Sequence, residues 1–147
     1  MRPTDFSVLH KRAFEPEARG WEPRDFEQFL ADPQVIWIGD TRAFILARCI
    51  DGEAEVLTLA CDPHHRRQGL ARACVAKLID KLGQRGARRL FLEVAVDNKA
   101  ARALYSQMNF NEVSRRVAYY RRAGAASVDA VLLQKEMDPG NSSYGSP

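Results

Sequence analysis

The stretch VLTLACDPHHRRQGLARACVAKLIDKL, residues 56–82, decides the reading of this chain. Its opening, VLTLAC, suits a strand. Residues 62–69 break that pattern with Asp-Pro, two histidines, two arginines, a glutamine and a glycine. From Leu70 an apolar stripe of Leu70, Cys74, Val75, Leu78, Ile79 and Leu82 recurs at helical spacing and predicts one long helix to about Gln84. A strand that passes through a basic, glycine-containing loop into a helix aims unpaired backbone N–H groups at one place. The positive end of the helix dipole stands behind them. The result is an anion site that suits a pyrophosphate. Gly69 allows the backbone to approach such a ligand closely. Arg66, Arg67 and Arg72 place positive charge at its mouth. The bland reading of the same residues is a plain capped helix with solvated arginines.

The rest of the chain falls into place on both sides. Phe6, Leu9 and Ala13 predict a first helix over residues 5–14, and a second starts at Pro23 and is ended by Pro33. Strands follow over residues 35–38, 42–50 and 54–61, the last two joined by Asp51-Gly52, a strong two-residue hairpin signal. Beyond the long helix, residues 89–96 are almost continuously apolar, as in a sheet covered on both faces. Asp97 or Asn98 caps a short helix to about Met108, and Asn109 fits the left-handed stop. Two strands close the pattern, over residues 111–119 and 128–136. The order ααβββαβαββ predicts an α/β or α+β fold with a mixed sheet.

With 147 residues the chain is sized for one domain. A mass of 16.6 kDa implies that roughly two thirds of the extended chain's surface is buried on folding. Hydrophobic residues at 46% supply a core for that without staples. Lys and Arg exceed Asp and Glu by 22 to 19, and a net charge of +3 is too mild to mark a nucleic-acid protein. No apolar run approaches the ~18 residues that span a bilayer, and MRPTDFSVLHKR lacks the apolar core of a signal peptide. Three cysteines, Cys49, Cys61 and Cys74, form no CxxC pair, which fits a reduced, cytoplasmic setting. Residues 1–138 read as the domain. Residues 139–147, PGNSSYGSP, read as a disordered tail.

Arg66-Arg67-Gln68-Gly69-Leu70-Ala71 resembles the acyl-CoA pyrophosphate loop of the GNAT N-acetyltransferases, whose pattern is Gln/Arg-x-x-Gly-x-Gly/Ala. The resemblance continues through LFLEVAVDNKAARALYSQMNFNEV, residues 90–113, with Asn109-Phe110 where the family usually has Gly-Phe. LEV…N…AxxLYxxxxF, then Tyr119-Tyr120 and a last strand, is most similar to the ribosomal-protein-alanine N-acetyltransferases. The match covers roughly residues 54–137, and the family's usual first strand is absent or very short here. The resemblance implies an α/β (α+β) GNAT fold, a central mixed, mostly antiparallel sheet splayed in its middle and flanked by helices, with acetyl-CoA in the gap between the strands at 54–61 and 89–96. It implies an N-terminal alanine amine of a small-subunit ribosomal protein as acceptor, with no membrane or direct nucleic-acid partner.

Glu93 lies inside the apolar run LFLEV. A carboxylate there must be paired, protonated or facing a cavity. Since an ammonium has no lone pair, an amine acceptor needs a base, and a carboxylate acting directly or through water is suitable. The resemblance puts the proton acceptor at Glu93; the alternative is an ion pair with a nearby arginine. It puts the proton donor to the departing thiolate at Tyr105, which otherwise reads as a core tyrosine. Asn98 caps a helix, contacts the cofactor, or does both. Leu59, Ala60 and Cys61 would offer backbone groups to the pantetheine arm, and Arg66, Arg67, Gln68, Gly69, Leu70, Ala71 and Arg72 would hold the pyrophosphate. One backbone N–H of that strand also suits a developing oxyanion.

Cys61 has no patterned partner that would make it a nucleophile. His64 and His65 are adjacent in a turn and form no metal pair, so no metal is expected. His10 reads as a helix-surface residue. Arg115, Arg116, Arg121 and Arg122 around Tyr119-Tyr120 read as a solvated strand end bordering an acceptor groove; aromatic–basic interleaving also suits RNA. Val117-Ala118 stand where the resemblance leads one to expect a polar pair, and Arg121 where it leads one to expect proline. The acceptor is therefore less determined than the cofactor. The rivals are a GNAT enzyme for lysines, other N-termini or small amines, and a CoA- or RNA-binding module without turnover.

Overall fold

Strand β2 (Ala43–Ile50) sets the layering. Its residues alternate between two cores. Ile45 and Ala47 join one cluster, with Cys74, Val75, Leu78 and Leu82. Phe44 and Leu46 join another, with Phe6, Leu9 and Phe26. A strand covered on both faces reads as an unbroken apolar run because both alternating sets are buried. The computed structural model describes residues 1–122 and 124–137, so the expected tail at 139–147 lies outside the described residues.

The element order is α1 (Pro3–Phe14), α2 (Pro23–Ala31), β1 (Val35–Gly39), β2, β3 (Glu53–Cys61), a short 3-10 turn (Pro63–His65), α3 (Leu70–Gln84), β4 (Arg89–Ala95), α4 (Lys99–Gln107), β5 (Asn111–Arg122) and β6 (Ala125–Glu136). The six strands form one sheet in the order β1-β2-β3-β4-β6-β5. Every neighbouring pair is antiparallel except β3 and β4, which are parallel. Helices α1 and α2 pack on one face, against β3 and β1 respectively. Helix α3 packs on the other, against β1, β2 and β3. This is the expected α/β architecture, and no strand precedes α1 among the described residues.

Local chemistry fixes several junctions. Asp51 and Gly52 both have positive φ, 52° and 81°, as a two-residue hairpin of matching twist requires. Asn98 caps α4, its Oδ1 accepting from the Ala101 N–H at 3.2 Å. Asn109, at φ 68°, ends the turn after α4.

The parallel pairing of β3 and β4 covers only Glu53–Glu55 against Arg89–Phe91. Just beyond, Val56 lies opposite Ala47 and Thr58 opposite Leu46, so Leu57 is an extra residue in β3. A bulge bends its strand and sharpens the twist, and here β3 parts from β4. The bulge also reverses which side chains face α3. Ala54 and Val56 do so before it, Leu59 and Cys61 after it, while Ala60 turns to the α1 side. The splayed middle is therefore built by one inserted residue.

One expectation fails. His10 is not on the helix surface; it is 3% exposed. Its ring stacks on Trp21 with centroids 4.7 Å apart. The Trp21 N–H donates to Nδ1 at 3.1 Å, so Nε2 carries the hydrogen and donates to Thr58 Oγ1 at 3.0 Å. Ser7, one turn earlier, donates to the Trp21 carbonyl at 2.7 Å. Helix α1 thus pins the connection to α2 from two successive turns.

Burial pushes the His10 imidazole down from 6.5 to about 4, against a small opposing pull from Asp25. The unfolded chain takes up this proton below its ordinary value of about 6.5, the folded chain only below about 4. Stability present at pH 7 is therefore lost as pH falls through that window. Roughly 2 kcal/mol should disappear between pH 7 and about pH 4.5. Urea unfolding at the two pH values measures it. A His10→Gln variant, still able to accept from the Trp21 N–H, should lose that part of the slope.

Candidate active site

The gap between β3 and β4 opens beside the start of α3. Gly69 is the residue before that helix and has φ 74°, and Arg67 has φ 64°. The first bond of the helix runs from the Ala73 N–H to the Gly69 carbonyl, which leaves the amides of the first turn without helical acceptors. A Cβ placed on Gly69 would meet no protein atom within 4 Å. Space within the protein does not demand glycine there; the left-handed backbone does, and the space beside it is open for a ligand. Successive amides in such a turn, with a helix dipole behind them, make an anion-binding concavity.

A cleft of about 270 Å³ lies over this turn. Cys61 at the end of β3, the loop from His65 to Arg67, the first turn from Gly69 to Arg72, and Leu104 of α4 line it. None of Arg66, Arg67 and Arg72 is in an ion pair among the described residues. Arg66 Nη2 donates to the Ala13 carbonyl at the end of α1, at 3.5 Å. Arg72 Nη2 donates to Gln107 Oε1 at the end of α4. The loop is anchored from its other side by Asp62, which accepts from the His64 N–H at 2.9 Å and pairs with Arg12 at 3.2 Å. The His64 N–H and, less strongly, the Arg12 guanidinium hold the Asp62 carboxyl below its ordinary range. An open, unpaired, cationic cradle of this shape fits a pyrophosphate.

The structure brings together most, not all, of the residues the sequence singled out. Cys61, Arg66, Arg67, Gly69, Leu70, Ala71 and Arg72 share the cleft; Leu59, Ala60, Gln68 and Asn98 do not line it. Burial pushes the Cys61 thiol up, opposed by Arg66, which suits a strand residue rather than a nucleophile. Sequence reasoning missed His65 and Leu104 as lining residues. The signal for Leu104 was its place one residue before Tyr105 on the face of α4 turned to α3.

Glu93 and Tyr105 stand on opposite sides of the sheet. On β4, Leu90, Leu92 and Val94 point into the α3-side core, so Glu93 points to the other face. Its Oε2 lies 3.2 Å from Arg116 Nε, the arginine pairing that the sequence left open. Tyr105 belongs to the α3-side core and is 6% exposed, with its ring edge-to-face on Phe110 at 5.5 Å. Among the described residues its hydroxyl has no hydrogen-bond partner, and burial pushes the phenol up to about 12. It stays protonated and able to donate. The β3–β4 pairing that would separate the two faces ends at Glu55 and Phe91.

The profile of the Acetyltransferase (GNAT) family matches residues 3–110. The chain is 35% identical over 135 residues to the [Ribosomal protein bS18]-alanine N-acetyltransferase of Escherichia coli, covering 88% of this chain and 90% of that protein. It is 32% identical over 125 residues to the N-alpha-acetyltransferase RimI of Mycobacterium tuberculosis, covering 79% and 75%. The crystal structure of the ribosomal-protein-S18-alanine N-acetyltransferase from Escherichia coli superposes with a TM-score of 0.83 at 30% identity, over 92% of this chain and 88% of that one. With cradle, split sheet and sequence in agreement, this chain belongs to the GNAT family and is an acetyltransferase that uses acetyl-CoA.

Proposed function

We propose that the acceptor is a free protein N-terminus beginning with alanine, that of a small-subunit ribosomal protein, and that Glu93 and Tyr105 carry the chemistry. One observation supports the site reading above others: the β3–β4 pairing ends at Glu55 and Phe91, with a cationic cradle on the α3 face of the sheet and the Glu93 carboxylate on the opposite face. A cofactor entering from one side and an acceptor from the other would meet there without competing for space. The relatives that act on ribosomal protein alanine match over most of the chain and support the choice of acceptor.

Acetyl-CoA supplies the acetyl thioester when bound. The amides of the α3 first turn, with Arg66, Arg67 and Arg72, would hold its pyrophosphate, and the backbone of Leu59–Cys61 would align its arm. Asn98, the cap of α4, would be a further contact to the cofactor. Glu93 accepts the proton of the incoming ammonium, directly or through a water, and so frees the nitrogen lone pair. The Tyr105 hydroxyl meets the departing sulfur. Holding both reactants in register removes much of the entropic barrier. One domain over residues 1–138, working in the cytoplasm where ribosomal proteins are made, completes the reading. No helix among the described residues is long and apolar enough to cross a membrane.

The test is release of CoA thiol from acetyl-CoA with peptides starting in Ala, Ser or Met, an Nα-blocked control and an internal-lysine peptide. The expected result is fastest turnover on the free alanine terminus, abolished by blocking. Turnover confined to lysine or small amines would discard the ribosomal assignment.

A further inference from the structure

Residues three apart in a regular strand lie on opposite faces. On β5, however, the Arg116 guanidinium sits 5.0 Å from the centre of the Tyr119 ring. The backbone accounts for it. Arg116 lies opposite Ala130 and Tyr120 opposite Val128, so four steps on β5 match two on β6. Within this bulge Ala118 has φ 51°, a left-handed value that alanine rarely takes. Its N–H is held by Asp129 Oδ1 at 2.8 Å. The bulge puts the tyrosine ring under the arginine. From that support the Arg116 side chain crosses β6 above Ala130 and reaches Glu93 on β4, Nε to Oε2 at 3.2 Å.

Three other charges of this hairpin, Arg115, Glu112 and Asp129, are engaged elsewhere. Arg115 pairs with Glu112 and Asp129, each at 3.6 Å, and Glu112 also with Arg102 of α4 at 3.8 Å, on the face turned to α4. Glu93 lies opposite Leu132 on β6, and Arg116 is its ion-pair partner among the described residues. An arginine propped on a ring at a built bulge, and aimed at a carboxylate two strands away, is more than a solvated strand end.

We infer that Arg116 is a positioning residue for Glu93: propped on Tyr119, its guanidinium pins one carboxylate oxygen and leaves the other to take the amine proton. The inference rests on the reading of Glu93 as the proton acceptor. It assigns a purpose to the Arg116–Tyr119 segment, where the sequence departs from the family's expected residues.

Arg116→Met keeps the length of the side chain and removes the charge. With the acceptor that the unmodified chain turns over fastest, its kcat should fall about tenfold, with both KM values within about twofold. Arg116→Lys should recover about a third of the lost rate, and Tyr119→Leu should lower kcat about threefold. In a Glu93→Gln background, Arg116→Met should do nothing further, because the two act as one unit. The melting temperature should not move, since the Arg116 side chain is 61% exposed. If Glu93→Gln is inactive while Arg116→Met keeps full kcat, or alters only KM, the positioning role is overturned and the base reading stands. If Glu93→Gln turns over normally, both are overturned.

Discussion

Glu93→Gln is expected to lower turnover by about a hundred- to a thousandfold, the range that loss of a general base produces. Acetyl-CoA affinity should stay within about twofold, measured by calorimetry, because the cradle at the start of α3 and the Glu93 side chain lie on opposite faces of the sheet. The substitution keeps the shape of the side chain and removes only its capacity to accept a proton. Its oxygen can still accept from Arg116. The rival account, in which Glu93 is only the surface partner of Arg116, predicts little change of any kind. An ion pair with an arginine this exposed is worth about 0–1 kcal/mol, too little to disturb the fold. Equal losses of turnover and of cofactor affinity would make Glu93 a structural residue.

How far the sequence reveals this molecule depends on the range of the interactions involved. Helix α3 begins at Leu70 and ends at Gln84 as its apolar stripe predicts, because a long amphipathic period is a local property. The Asp51-Gly52 turn and the Asn109 stop are legible for the same reason: each needs a backbone value that few residues adopt. His10 was misread although its spacing was informative. With Phe6, Leu9 and Ala13 it completes the i, i+3, i+4, i+7 stripe of α1, and only its polar type argued for the surface. What the type could not show was that the Trp21 N–H and Thr58, eleven and 48 residues away, satisfy both ring nitrogens. The hairpin β5–β6 runs further than expected, to Arg122 and from Ala125, since arginines and small residues carry no strand signal. The bulges at Leu57 and Ala118 are set by pairing across strands and were not legible at all. They part the sheet and aim Arg116, so the sequence could propose residues for the site but not their arrangement.

Tyr105→Phe separates two ways in which the phenol can serve the departing sulfur. Burial pushes the hydroxyl up to about 12, while a thiol titrates near 8.5. Handing the proton over completely would run uphill by roughly 3 to 4 pH units, about 5 kcal/mol. A hydrogen bond donated to the developing thiolate avoids that climb and still stabilises the charge, by about 1.5–3 kcal/mol for a charged acceptor. The expected fall in kcat is therefore about 10- to 100-fold, smaller than for Glu93→Gln. Stability gives the second half of the test. The hydroxyl is buried and unpartnered among the described residues, so its removal should leave the melting temperature unchanged or slightly raised. A tyrosine whose hydroxyl served only the core would behave in the opposite way. The phenylalanine variant would then melt earlier and turn over normally.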